Sequence, residues 1–215
     1  MIALYIAIRM EPLVHLVVPV LPSCSFASCL RVIALAVALP LAGCGAGPSQ
    51  TYDLTALPQG QAVRAPRGQL IIYEPVASAP ADTDRIIVRP LGEGVATLKD
   101  VQWREPLPRL VQTRLVQSFE NRKLVAFVGR PNSRLVARYA LNSEIRRFEM
   151  DVARGEAAVE IAVKLIDEAS GRILAGEVFS AAVPAQASAD QAPLALDQAL
   201  QSVMDQIITF TTRRF

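Results

Sequence analysis

The most reactive side chains of this 215-residue chain are three cysteines and one histidine, and all four lie within its first 44 residues. Cys24, Cys29 and Cys44 supply the thiols, and His15 the single imidazole. Spacing singles out Cys44. It closes the run Arg31 to Cys44, RVIALAVALPLAGC, in which one cation leads into an apolar stretch. That stretch is about 12 residues long, short of the ~20 that a membrane-spanning helix needs. Its length, its leading charge and the small residues Ala42 and Gly43 fit the apolar core and cleavage point of a secretory signal.

Cleavage ahead of Cys44 decides which chemistry is left. Residues 1–43 carry His15, Cys24 and Cys29 away, so the mature chain keeps no histidine and one thiol. Ser-His-Asp and Cys-His catalysis are then excluded, as are disulfides and zinc sites built on histidine and cysteine, and no metal or cofactor is expected. Carboxylate and lysine chemistry stay open. The pair Glu144 and Glu149 is the nearest thing to an acid/base couple. Five positions apart on one irregular strand, the two are expected on different faces, so no catalytic residue is assigned. Removing Arg9, Arg31 and Glu11 from 22 basic and 20 acidic residues leaves 20 and 19. That balance argues against a nucleic-acid partner, which requires a basic stripe. The positive mean hydropathy, +0.31, is carried by the apolar N-terminal region.

The last four residues of the run, Leu41-Ala42-Gly43-Cys44, match the lipobox of bacterial lipoproteins. The resemblance implies diacylation of the Cys44 thiol, cleavage before Cys44 and acylation of the new amine, with palmitate an expected chain. Gly45 follows the cysteine where aspartate does not, which under the sorting rule of enteric bacteria favours the outer membrane. Cys24 and Cys29 are poorer candidates, because proline or phenylalanine occupies a key position before each. Residues 1–30 are interrupted by charges and prolines, and are expected to lie upstream of the real initiation codon, near Leu30.

The elements that must carry any site follow in order. Residues 45–68, rich in Gly, Pro, Ala and Gln, read as a flexible linker from a lipidated Cys44, with Tyr52-Asp53-Leu54 open to an early edge segment. The folded domain is expected over 69–215. Leu70–Tyr73 reads as a buried strand, Arg85–Arg89 and Val95–Trp103 as a hairpin turning at Gly92-Glu93-Gly94. Leu107, Val111, Leu115 and Phe119 recur every four residues and predict an amphipathic helix opened by Pro106 and Pro108, with Arg109, Gln112, Arg114 and Gln117 largely on other faces. A short strand follows at Leu124–Val128. In Leu135–Val152 the alternation changes phase, which predicts a bulge near Arg146-Arg147. Val159 to Leu165 is a half-buried strand, and Arg172–Val183 returns after a turn at Asp167–Gly171. Leu196, Leu200, Val203, Ile207 and Phe210 predict a last helix, capped by Asp190 or a residue just after it. The fold class is α+β, a single domain with a mixed, mostly antiparallel sheet and two amphipathic helices on one face.

Two side-chain groups have a possible surface role. Trp103, at a strand-to-helix junction, is either a partner-docking residue or a core plug. Arg146-Arg147 and Arg213-Arg214 are either lipid-phosphate contacts or solvated surface.

The run Asp84-Arg85-Ile86-Ile87-Val88-Arg89 is followed by Trp103-Arg104-Glu105-Pro106-Leu107-Pro108, then Val111-Gln112, Leu115-Val116, Ser118-Phe119-Glu120, Val128-Gly129-Arg130, Tyr139-Ala140-Leu141 and Phe148-Glu149. Together these resemble the ABC-type transport auxiliary lipoprotein family, over roughly residues 50 to 213. The resemblance implies a non-catalytic periplasmic component of a mammalian-cell-entry (MCE) type lipid transport system. Its partners would be an MCE-domain substrate-binding protein with its permease and ATPase, and the membrane through the lipid anchor; phospholipid binding and self-association stay open. The location implied is the periplasmic face of the outer membrane. The alternative is an envelope-structural lipoprotein that binds a barrel protein or the cell wall.

Overall fold

The computed structural model describes residues 49–60, 67–92, 94–133 and 136–214; the proposed signal, Leu41, Ala42, Gly43 and Cys44 lie outside the described residues. The domain is built around one strand of 13 residues, β7 (Tyr139–Asp151). One edge of β7 pairs along its whole length with β8 (Glu156–Asp167), and β8 pairs in turn with β9 (Arg172–Pro184), all antiparallel. The other edge is shared by three short strands laid end to end and parallel to β7. These are β2 (Arg67–Ile72) against Tyr139 to Leu141, β3 (Val76–Ala77) against Glu144 and Ile145, and β4 (Arg85–Arg89) against Glu149 to Asp151. Outside them, β6 (Val125–Gly129) runs parallel to β2. On the other arm β5 (Ala96–Trp103) returns antiparallel to β4, and β1 (Gln50–Tyr52) runs parallel to β5.

Among the described residues the result is a mixed nine-stranded sheet with two helices, an α+β domain. Its antiparallel pairing is concentrated in the long β7–β8–β9 ladder, and its parallel pairing in the short strands. Gly155 (φ 64°) and Gly171 (φ 68°) sit in the turns joining that ladder, in the left-handed region where a side chain is disfavoured.

The predicted bulge lies between Ile145 and Arg147, where the register against β8 shifts. Before it Leu141 and Ile145 face the helices, and after it Phe148 and Met150 do; all four are buried. The extra residue, the exposed Arg146, keeps a long strand apolar on one side although its alternation changes phase.

Helix α1 (Leu107–Arg122) lies over β2 and β6, and α2 (Ala192–Thr212) over β8 and β9. Pro108 in the first turn of α1 removes an amide that would lack a partner there, and Lys123 ends the helix in a left-handed conformation. The α1 stripe Leu107, Leu110, Val111, Leu115 and Phe119 is buried, as is Leu196, Leu200, Val203 and Ile207 on α2. Each such side chain contributes roughly 1.5–3 kcal/mol of transfer free energy.

Two expectations change here. Gln112 is buried, and its amide donates to the Ile72 carbonyl (2.9 Å), tying α1 to the end of β2. Residue Gln191, with helical backbone, stands at the N-cap of α2 and neither it nor Asp190 supplies a side-chain cap; Gln191 Oε1 accepts from the Gln186 amide instead.

A larger change concerns the stretch read as linker. Residues 50–60 belong to the folded unit: after β1 the chain crosses both helices as a strap, with Leu54 and Leu57 buried. The Thr55 amide donates to Asp197 of α2 (2.7 Å) and the Leu57 amide to Ser118 of α1 (2.9 Å). Asn121 donates to the Leu57 carbonyl (2.7 Å), and the Gly60 amide to the Asn121 carbonyl (3.1 Å). Two leucines among Gly, Pro and Gln have no period of their own. Their burial depends on a groove made by residues more than sixty positions away, so the local pattern reads as linker.

Candidate interaction surfaces

With both helices on one side of the sheet, the opposite face is where polar groups of β4 and β7 come together. Arg89, at the end of β4, holds Glu149 in a two-pronged pair: Nε to Oε1 and Nη2 to Oε2, both 2.9 Å. Arg147 donates to Glu149 Oε1 (3.1 Å) and to Asp151 Oδ2 (3.2 Å), and the Arg154 amide caps Asp151 Oδ1 (3.1 Å). Glu149 and Asp151 are 5% and 7% exposed, so the two acids are enclosed while the arginines reach solvent.

Burial pushes the Glu149 carboxyl up, but hydrogen bonds from Arg89 and Arg147, with their charges, outweigh it and hold it below the ordinary glutamate value. A general acid needs the reverse, a carboxyl held protonated near neutrality. The cluster is therefore a latch that fixes β4 to β7 and presents guanidinium groups at the surface. Because the folded-state value is depressed, its stabilisation is present above the unfolded value of about 4.5 and fades as pH falls through the folded one. Replacing Glu149 by glutamine is expected to cost about 1–3 kcal/mol at pH 7, reduced toward the lower end by the exposure of the arginines. Urea unfolding of both proteins at pH 7 and below pH 4 measures it. The gap should narrow in acid, and a gap independent of pH would remove the assignment.

Glu144 and Glu149 share this face, contrary to the expectation. Their β8 partners, Ala162 and Ala158, are four residues apart, because the bulge absorbs one position. Equal parity puts the carboxylates on one side, but roughly 13 Å apart along the strand, too far to work as a couple. Glu144 pairs with Arg146 (3.4 Å).

The other sequence-predicted residues are placed as follows. Trp103 is 1% exposed and meets the Phe148 ring edge-on at 5.9 Å, so it plugs the core and does not dock a partner from the surface. Arg147 is consumed by the acidic pair, and Arg214 lies over the Phe210 ring at 3.9 Å while donating to the Phe210 carbonyl (2.6 Å). A shallow groove of about 640 Å³ runs between β9 and the C-terminal half of α2, lined by Glu177, Phe179, Asp205 and Phe210 among others. Sequence reading missed it, since Glu177 and Asp205 become neighbours only when α2 folds onto β9. Among the described residues no group of three or more acidic, histidine or cysteine side chains is disposed to hold a metal. No helix among them is long and apolar enough to cross a membrane.

Comparison with known proteins settles the family. The model of the ABC-type transport auxiliary lipoprotein component matches residues 52–208, from the end of β1 into the last turns of α2. The chain belongs to this family. The family is that of the auxiliary lipoprotein components of ABC-type transport. A crystal structure of a Xanthomonas campestris protein of the DUF330 family is similar to it, with TM-score 0.70 and 25% identity over 77% of this chain and 95% of that one. A second crystal structure, of an uncharacterised protein, shares the fold at TM-score 0.61 and 13% identity, covering 76% of this chain and 99% of that one. An uncharacterised protein of Bradyrhizobium diazoefficiens is 35% identical over 140 residues, 62% of this chain. The auxiliary lipoprotein spans only 37% of that relative's length.

Proposed function

We propose that this auxiliary lipoprotein is the lipid-anchored periplasmic component of an MCE-type transport system, bridging the inner-membrane transporter to the outer membrane for lipid trafficking. The family match across residues 52–208 carries the reading, because it takes in the strap, both helices and the sheet, so the whole domain serves the transport role. Cys44 is the acylated residue, with Leu41, Ala42 and Gly43 as its recognition sequence, and Gly45 directs the protein to the outer membrane. The latch of Arg89, Arg147, Glu149 and Asp151 supports a binding role, since both its acids are already engaged by arginines. The partners are an MCE-domain substrate-binding protein with its permease and ATPase.

Crosslinking in intact cells followed by capture of this lipoprotein tests the proposal. An MCE-domain protein among the crosslinked species is the expected result. A clean capture holding a barrel protein or cell-wall fragments instead would replace the transport role with an envelope-structural one.

A further inference from the structure

The short distance between Cys44 and the folded unit limits which end of the domain meets the membrane. β1 runs parallel to β5 with Gln50 beside Val101 and Tyr52 beside Trp103, so the sheet is entered at the level of Val101. Cys44 precedes Gln50 by six residues, which reach at most about 20 Å when fully extended. Val101 likewise follows Val95, at the tip of the β4–β5 hairpin, by six residues, again about 20 Å along a strand. Cys44 can therefore reach the level of the hairpin tip. The opposite end of β7, at Tyr139, lies about 30 Å from Phe148, beyond that reach.

The reachable end carries large apolar side chains that stay exposed to solvent. Leu91 and Val95, flanking the hairpin turn, are 76% and 49% exposed. The Val152 amide donates to the Arg89 carbonyl (3.0 Å), which sets the β7–β8 turn beside the base of the hairpin, and the Val152 side chain is 40% exposed. The loop leading to α2 joins the same end through the Ala185 amide on the Gly155 carbonyl (3.0 Å). Arg154, in the same turn as Val152, is 65% exposed and is paired with Asp151 (3.8 Å) and Glu156 (3.6 Å), so the apolar groups and not a free charge define this end. Exposed apolar tips within reach of an acylated residue suit the boundary between lipid headgroups and acyl chains.

We infer that this end of the domain rests on the phospholipid surface, with Leu91 and Val95 entering the interface as a second contact beside the acylated Cys44. The domain is then docked in one orientation, with its β8–β9 turn pointing away from the lipid. This inference rests on the lipoprotein reading of Cys44, and its test separates the two.

The full chain is expressed with its own signal, purified from membranes and reconstituted into phosphatidylethanolamine–phosphatidylglycerol vesicles brominated on their acyl chains. Two variants are compared, Leu91→Trp at the hairpin and Phe127→Trp on β6, whose 61% exposed side chain lies toward the far end of the sheet. The native Trp103 is a shared, buried background, about 26 Å along β5 from Val95. Bromine quenching of the Leu91→Trp signal by about twofold, with the Phe127→Trp signal unchanged, is expected, since interfacial groups sit ~5–10 Å into the headgroup–acyl boundary. Equal quenching of both, or of neither, in protein whose intact mass shows an acylated Cys44 overturns the docking. An intact mass showing an unmodified Cys44 overturns the lipoprotein reading, and the docking with it.

Discussion

Export of residues 45–215 behind a conventionally cleaved signal, with Cys44 omitted, is expected to turn a membrane-bound protein into a soluble periplasmic one. The magnitude follows from the acyl chains. Each buried methylene contributes ~0.8 kcal/mol, and one myristoyl chain alone gives an association constant of about 10⁴ M⁻¹. Two or three chains on Cys44 hold the protein firmly; none leaves only the hairpin contact. Leu91 and Val95 together offer a few kcal/mol at most even if fully buried, less than one chain. Fractionation of cells, with a salt wash of the membranes, measures the shift. A Cys44→Ser substitution in the complete chain gives the complementary result, an uncleaved precursor that retains its signal and is heavier by intact mass. Retention of the unacylated chain on washed membranes would show that anchoring does not depend on Cys44.

The second large effect lies in the core. Trp103→Ala is expected to destabilise the domain by about 3–5 kcal/mol, the usual cost of emptying a buried aromatic site. Trp103 ends β5 just before α1, its ring is enclosed, and Phe148 from β7 meets it edge-on. Its backbone amide donates to the Asp84 carbonyl (2.7 Å), so the strand end stays pinned and cannot move in to fill the space. Such a loss is a large share of the 5–15 kcal/mol by which a domain is stable. Urea unfolding measures it, and Trp103→Phe, which keeps a ring against Phe148, should recover more than half. A Trp103→Ala protein of unchanged stability that fails to capture its partner would return Trp103 to a docking role.

Much of the domain was legible because its elements announce themselves locally. The four-residue recurrence of α1 and the alternation of β8 follow directly from which side of each element faces the core. The phase change in β7 located the bulge to within a residue. What was not legible depends on pairing over distance. No local feature of Leu70, Val76 or Ile87 says that three strands will share one edge of β7. The same applies to Gln112, which reads as a solvent-facing position until the Ile72 carbonyl is brought above it. The latch is half visible in the sequence: Arg146-Arg147 read as surface charges and Glu149 as one of a pair of acids. Arg89 joined them only through the parallel register of β4 with β7. The faces of Glu144 and Glu149 show how a correct local reading gives a wrong conclusion when its consequence is not carried through, since a bulge reverses parity for every residue beyond it.

The strap across the helices has a consequence for the order in which this protein matures. The Thr55 amide is held by Asp197, 142 positions later in the chain. Its seat does not exist until the final helix has been synthesised. A chain threaded through an export channel from its amino end therefore delivers the strap first and its partner last. On the proposed reading of Cys44, which lies a few residues ahead of the strap, the acylating enzymes would meet a chain whose later part is still unpaired. Closure of the fold would then come as the last step, on a protein that the proposed anchor already holds.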